Sequence, residues 1–343
     1  MIWVFLLAAF FWAIGMVLRV PISRRMVPIG ILLALVLLAH LVLPPEHPLV
    51  LRIGGTFSGW AIFFAAIALI WGYMRGVAAL KARAPEVKAA EEGPFSDTEL
   101  DRYARHIVLR EIGGPGQMAL KNARVLVVGA GGLGSPVLLY LAAAGIGTIG
   151  VVDDDVVDNS NLQRQVIHRD ADIGTPKVFS AEAAMRAQNP AIEVRPYHRR
   201  LDAESAAELF ADYDLILEGS DNFTTKYMVN AAAAKLGKPV IGGALSQWEG
   251  QISTWDPAKG GPCYQCVFPE APADGLAPSC SEAGVIGPLP GVIGSMMAVE
   301  VIKELTGAGE GLRGRLLIYD AMYADVRVMR AAKRDDCPVC GHG

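Results

Sequence analysis

The chain opens with three uncharged apolar runs and then changes to short apolar segments broken by glycine and polar residues. Residues 2–18 carry no charge, residues 26–43 carry none apart from the titratable His40, and residues 56–74 carry none. Each run is close to the about 17 to 25 residues that cross a bilayer core as a helix, the form in which every backbone polar group is satisfied within the segment. The pattern predicts three transmembrane α-helices, over about 2–18, 26–43 and 56–74, in a membrane region 1–75. A cleaved signal peptide is a poorer reading of the first run, which lacks a basic segment before it and a small-residue cleavage site after it. Trp60, Trp71 and Tyr73, near the ends of the third run, suit interfacial anchoring.

Residues 81–93 (KARAPEVKAAEEG) are rich in Ala, Lys and Glu and read as part of a linker over about 76–95. From Ser96 the pattern is that of one α/β domain, 96–343. Ser96 followed by Glu99 is a capping-box signal for a helix carrying Arg102, Tyr103 and Arg105. A buried strand at 124–128 (RVLVV) leads into a loop from Gly129 to Gly134 (GAGGLG) and an Ala- and Leu-rich helix to about Ala144; a second strand over 147–152 ends at Asp153. This is a βαβ unit with a glycine turn at its first strand-to-helix junction. Further strands are expected at about 193–197, 215–218, 239–242, 251–255 and 315–319. A helix from about 291 to 305 would turn Ile293, Met296, Met297, Val299, Val301 and Ile302 largely inward.

Composition sharpens this division. Of the 343 residues 52% are hydrophobic and 19% charged, below the roughly 25% charged that is usual for soluble domains. Residues 1–95 hold eight Lys plus Arg against four Asp plus Glu, a net of +4; with −4 for the whole chain, the remaining 248 residues carry −8. An acidic domain argues against a nucleic-acid groove. Arg19, Arg24 and Arg25 lie between the first two runs, Arg75, Lys81 and Arg83 follow the third, and only Arg52 lies in the other connection. Positive-inside bias then puts the N-terminus outside and everything beyond about residue 75 in the cytoplasm, a multi-pass inner-membrane arrangement.

Four of the five cysteines form two Cys-x-x-Cys pairs, Cys263 with Cys266 and Cys337 with Cys340. Two such pairs can supply the thiolate shell of a structural zinc ion and tie the C-terminal tail to the middle of the domain. A reducing cytoplasm favours zinc thiolates over disulfides. Cys280 is left over, in a Gly- and Pro-rich stretch. It is either a loop thiol or, with a lowered pKa, a nucleophile.

Gly129, Gly131 and Gly134 fit G-x-G-x-x-G, and Asp153 follows where a ribose-binding acid is expected. Glycines admit phosphate to the backbone and the helix N-terminus supplies amide donors. The loop alone leaves NAD and ATP equally open. Arg164 and Lys177 form the basic pair a triphosphate needs, and Asp221 can hold Mg²⁺ through carboxylate oxygens. Taken singly, the first two could be surface charges and Asp221 a helix cap.

Residues 96–343 resemble the ThiF/MoeB/HesA family, adenylyltransferases related to ubiquitin-activating enzymes. The stretches that carry the likeness are RYARHIVL (102–109), VLVVGAGGLGSP (125–136), DNSNLQRQ (158–165), IGTPK (173–177), GSDNF (219–223), EGQ (249–251), PCYQC (262–266), CSEAGVIGP (280–288) and CPVC (337–340). The resemblance implies a Rossmann-like ATP-binding domain with a mixed sheet and structural zinc. It also implies ATP- and Mg²⁺-dependent adenylation of the C-terminal glycine of a ubiquitin-like sulfur-carrier protein by a homodimer. By it, Gly129, Gly131, Gly132, Gly134 and Asp153 hold adenosine, Ser160, Asn161, Arg164, Lys177 and Asn222 bind the nucleotide, and Asp221 holds Mg²⁺. Arg105 matches an arginine that family dimers insert into the neighbouring subunit, and Cys280 matches a crossover-loop cysteine that some members use covalently. His106 stands where the family commonly has Gln. With no rhodanese segment after Cys340, any sulfur donor would be a separate protein.

Three other functions fit parts of the chain. Adenylation of a carboxylate on a modified tRNA base is disfavoured by the acidic domain. A catalytically silent membrane adaptor is disfavoured by the set Asp153, Arg164, Lys177 and Asp221, and an NAD oxidoreductase by GSDNF and the basic pair.

Overall fold

A computed structural model describes residues 2–18, 20–83, 93–273 and 283–341. These fall into two compact units, Met1–Glu91 and Glu92–Gly343.

The first unit is four helices: α1 (Ile2–Val17), α2 (Ile22–Val42), α3 (Pro48–Ile53) and α4 (Phe57–Arg83). Trp60 is its centre, fully buried against Val4 and Val36. Its Nε1 donates to the Gly54 carbonyl at 3.0 Å, and the rings of Phe5 and Phe63 lie 5.9 Å away. Trp60 is therefore not the interfacial anchor that its place near a run's end suggests, whereas Trp71 and Tyr73 are exposed. Among the described residues two stretches, Arg24–Val42 and Phe57–Leu80, are long and apolar enough to cross a membrane, not the three expected. The 16 residues of α1 would span about 24 Å, short of an about 30 Å hydrocarbon core. Arg24 and Arg25 lie inside α2 and not in a connecting loop, and α4 runs past residue 74 into the expected linker.

In the second unit, Ser96 caps α5 (Asp97–Ile107) with the reciprocal bonds its spacing predicts: the Ser96 amide donates to Glu99 Oε2 at 2.9 Å and the Glu99 amide to Ser96 Oγ at 3.3 Å. After α6 (Gly113–Asn122) come β1 (Arg124–Val128), α7 (Gly134–Ala144), β2 (Thr148–Asp153), α8 (Lys177–Gln188), β3 (Glu193–His198), α9 (Ala203–Ala211), β4 (Leu215–Glu218), α10 (Phe223–Leu236) and β5 (Val240–Leu245). The chain ends with β6 (Glu249–Trp255), α11 (Tyr264–Val267), α12 (Pro288–Thr306), β7 (Arg315–Asp320) and β8 (Asp325–Arg330). The sheet runs β3-β2-β1-β4-β5-β6-β7-β8. Its first five strands are parallel and β6, β7 and β8 antiparallel, a mixed Rossmann-like sheet.

Because helices cover both faces, β1 is apolar at every position after Arg124: Val125 and Val127 face the core formed with α7, α8 and α12, and Leu126 and Val128 the core with α9 and α10. On α12, Ile293, Met297 and Val301 are buried at four-residue spacing, but Val299 is half exposed and the helix begins earlier than expected, at Pro288. Strand β8 is absent from the strands expected of the sequence, because all six of its residues are exposed and leave no buried face to detect.

Strand order reverses between β1 and β4, and a ligand crevice opens there at the strands' carboxyl ends. Gly129 adopts φ +98°, and a Cβ on Gly134 would stand 2.0 Å from the Gly129 carbonyl oxygen. The helix start and the loop are thus in backbone contact. Gly134→Ala is expected to cost about 1–3 kcal/mol of stability, as overpacking does, measured by urea unfolding of the full chain.

Candidate active site

The crevice holds a cavity of about 310 Å³, at the lower end of the about 300–1,000 Å³ usual for small-molecule sites. Its walls include Gly129, Gly131 and Gly132 after β1, Asp153 at the end of β2, and Arg164, Lys177, Asp221 and Asn222. Eight residues singled out from sequence are thus brought together. Gly134 acts one step behind them, through the contact described above.

Asp153 clamps the loop. Its Oδ2 accepts the Ala130 amide at 2.7 Å and its Oδ1 the Asp155 amide at 2.8 Å. Burial pushes its pKa up, against the pull of Lys177 and of those two amides. On the other side of the loop, the Ala130 carbonyl accepts from His168 Nε2 at 2.8 Å, while His168 Nδ1 meets Ser180 Oγ at 2.9 Å. Burial lowers the His168 pKa. Ala130 is therefore held by both its amide and its carbonyl.

Lys177, 5% exposed, pairs at 2.7 Å with Asp155, which is 68% exposed. Arg164 Nη2 donates to Asn161 Oδ1 at 2.8 Å and Nη1 to the Ser160 carbonyl at 3.2 Å. Ser160 and Asn161 do not line the cavity; they hold the arginine that does. Asn222 caps α10, its Oδ1 accepting the Thr225 amide at 2.8 Å. Arg105 is exposed on α5 and does not line its own chain's cavity. His106 Nδ1 meets Gln117 Oε1 at 3.3 Å. Cys280 lies outside the described residues.

Sequence reasoning missed a charge pair at the cavity, whose wall includes Lys226. Lys226 Nζ lies 2.5 Å from Glu218 Oε2, with side chains 7% and 6% exposed, and donates to the Gly243 carbonyl at 2.8 Å. Glu218 Oε1 accepts the Ser220 amide at 2.8 Å and the Ser220 hydroxyl. An acid closing an otherwise apolar strand, LILE, was the available signal. Arg199 and Arg200, after β3, also reach the cavity wall and were likewise unremarked.

Cys263, Cys266, Cys337 and Cys340 form a second cluster. Sulfur separations are 3.8 Å for Cys263–Cys266, 3.5 Å for Cys263–Cys337 and 3.4 Å for Cys266–Cys340. Four sulfurs about 2.3 Å from a tetrahedral zinc lie about 3.8 Å apart, so the cradle fits that ion. Burial pushes the Cys337 thiol up, but the Cys340 and Val339 amides and the Cys263 thiol outweigh it and bring it down to about 7.

Residues 103–339 match the ThiF family. The chain belongs to that family. Over 246 residues it is 50% identical to the SAMP-activating enzyme E1 of Haloferax volcanii, covering 72% of this chain and 90% of that protein. It is 49% identical over 251 residues to the sulfur carrier protein adenylyltransferase of Thermus thermophilus, covering 72% and 93%. Similarity to MoeZ of Mycobacterium tuberculosis is 51% over 247 residues, and there the chain spans only 63% of the relative. Among solved structures, E. coli MccB with MccA-N7isoASN superposes with a TM-score of 0.62 at 25% identity, covering 70% of this chain and 75% of that one. In this ThiF-family domain, Lys226→Met would leave Glu218 buried without its counter-ion. The expected cost is about 3–5 kcal/mol in urea unfolding, and adding Glu218→Gln, which removes the other charge, is expected to recover most of it.

Proposed function

We propose that the chain is a membrane-tethered adenylyltransferase that uses ATP to activate the C-terminal glycine carboxylate of a small ubiquitin-like sulfur carrier, for sulfur transfer in cofactor biosynthesis. The observation that carries this reading is the match, at 49% identity over 93% of its length, to a protein named for adenylating a sulfur carrier. The cavity's composition supports it.

The glycine loop lets the nucleotide approach the backbone at the N-terminus of α7, and Asp153 has lone pairs left for ribose hydroxyls. A carrier carboxylate oxygen bonds to the α-phosphorus while the bond to the bridging oxygen breaks, and pyrophosphate leaves with that electron pair. No general base is required, because the carboxylate is already ionised at neutral pH. The protein's task is to neutralise charge on the phosphates and keep water from the mixed anhydride. Arg164 and Lys177, both on the cavity wall, would do the first. Asp221 would hold Mg²⁺, which supplies further neutralisation of phosphate charge when bound. Zinc in the four-cysteine cradle would be structural.

Arg105, exposed and away from its own cavity, fits delivery into a partner's site across a dimer. The two long apolar helices of the first unit support a membrane tether, with the basic ends of α2 and α4 and the second unit on the cytoplasmic side.

ATP–pyrophosphate exchange by the purified protein is expected only with a carrier ending in Gly-Gly, and to vanish in Asp221→Ala; exchange that needs no carrier would refute the reading. Co-expressed Arg105→Ala and Asp221→Ala chains, each inactive alone, are expected to regain about a quarter of wild-type exchange, because mixed dimers hold one intact site in two. The full chain is expected to stay with membranes through alkaline carbonate washing, and residues 92–343 expressed alone to be soluble.

A further inference from the structure

The cysteine cluster has a neighbour on α10. Asn230 is 3% exposed and lies two turns beyond the Asn222 cap. Its helix docks on α11 through Tyr227 and Tyr264, whose ring centroids are 5.3 Å apart. Asn230 Oδ1 accepts the backbone amide of Tyr264, the residue after Cys263, at 2.8 Å. That bond fixes which way the side-chain amide points, since the flipped amide would set donor against donor. Nδ2 is buried and has no hydrogen-bond partner among the described residues. Cys263, joined directly to Tyr264 in the chain, is itself fully buried. A neutral thiol is a weak acceptor and offsets little of the cost of burying an N–H, whereas a thiolate accepts strongly. Four thiolates around one dication carry net negative charge, which buried N–H donors disperse.

We propose that Asn230 is an outer-sphere partner of the cysteine centre, its Nδ2 donating to the Cys263 thiolate and orienting that ligand when metal is bound. The inference rests on the metal-binding reading of the four cysteines. The same bond ties the centre to the helix that carries Asn222 and Lys226 at the nucleotide cavity. An asparagine present only to brace α11 would need the Tyr264 bond and nothing more.

Asn230→Asp keeps the acceptor for Tyr264 and the side chain's shape, and puts an oxygen where the donor was. In the purified full-length protein, competition against a chromophoric zinc chelator is expected to show affinity lowered about 10- to 100-fold. In the Co²⁺-substituted protein the sulfur-to-cobalt charge-transfer band is expected to move to longer wavelength, because a thiolate without its hydrogen bond releases electron density more readily. Unchanged affinity together with an unmoved band would overturn the proposal. Should the variant fail to fold, the wild type still decides: with ¹⁵N-labelled asparagine, the Asn230 side-chain amide proton is expected to move downfield when zinc is returned to chelated protein, and a stationary resonance overturns the assignment. A wild type that binds no zinc removes the metal reading and this inference together, so the two failures are told apart.

Discussion

The crevice depends on two charges held out of water. Removing Glu218 and Lys226 from solvent costs several kcal/mol per ion, and apolar residues of similar volume would avoid that cost. Net stability is therefore a poor account of the pair, and position is a better one. One oxygen of Glu218 takes Lys226 and the other takes the amide and hydroxyl of Ser220, while Lys226 also reaches the Gly243 carbonyl. The end of β4, the turn into α10 and strand β5 are cross-linked at one point. Asp221 and Asn222 sit on that turn, so the backbone that carries the proposed metal ligand is held by a salt bridge that need not touch the metal.

The same economy governs the groups that face the cavity. Lys177 is nearly buried and pairs with an aspartate that is mostly exposed. In the proposed reaction an arriving phosphate would replace Asp155 as counter-ion, and Asp155 would turn to water at little cost while Lys177 stays where it is. The buried ammonium is never left unpaired, which is the state that would be expensive. Arg164 is held by an amide oxygen and a carbonyl, neutral acceptors that leave its charge available. Asp153 and His168 spend their bonds on Ala130, so the loop is ordered by side chains before any nucleotide arrives.

What could be read from sequence was what is periodic or local. Buried parallel strands appear as continuous apolar runs, the capping box as two residues three apart, and the glycine loop as a spacing; the structure carries all three. Glu218 and Lys226 escaped because each alone looks like a surface charge, and only the fold brings them within 2.5 Å. Trp60 escaped for a related reason: near the end of an apolar run it resembles an interfacial residue, and its burial depends on α1 and α2 packing over it. Ser160 and Asn161 belong to a recognisable stretch, yet which of its members faces a ligand and which supports Arg164 is decided by a single turn of 3₁₀ helix. Strand β8 lacked the buried alternation that marks a strand at all.

That last strand leads to the role of the cysteines. A strand exposed at every residue contributes almost no apolar burial, so β8 cannot anchor the C-terminal tail by the hydrophobic effect. Yet Cys337 is fully buried, seven residues beyond β8. The tail is held from the other side, by sulfur contacts to Cys263 and Cys266, residues 74 positions earlier in the chain. Closing a loop of that length costs the unfolded chain entropy that grows only slowly with length, so one tight centre can secure a tail that burial does not. Through Tyr227, Tyr264 and Asn230 that centre bears on α10, and α10 begins at the cavity. The end of the domain that carries the fully exposed β8 and the functional crevice thus share one helix, and the cysteine cluster is placed to brace both.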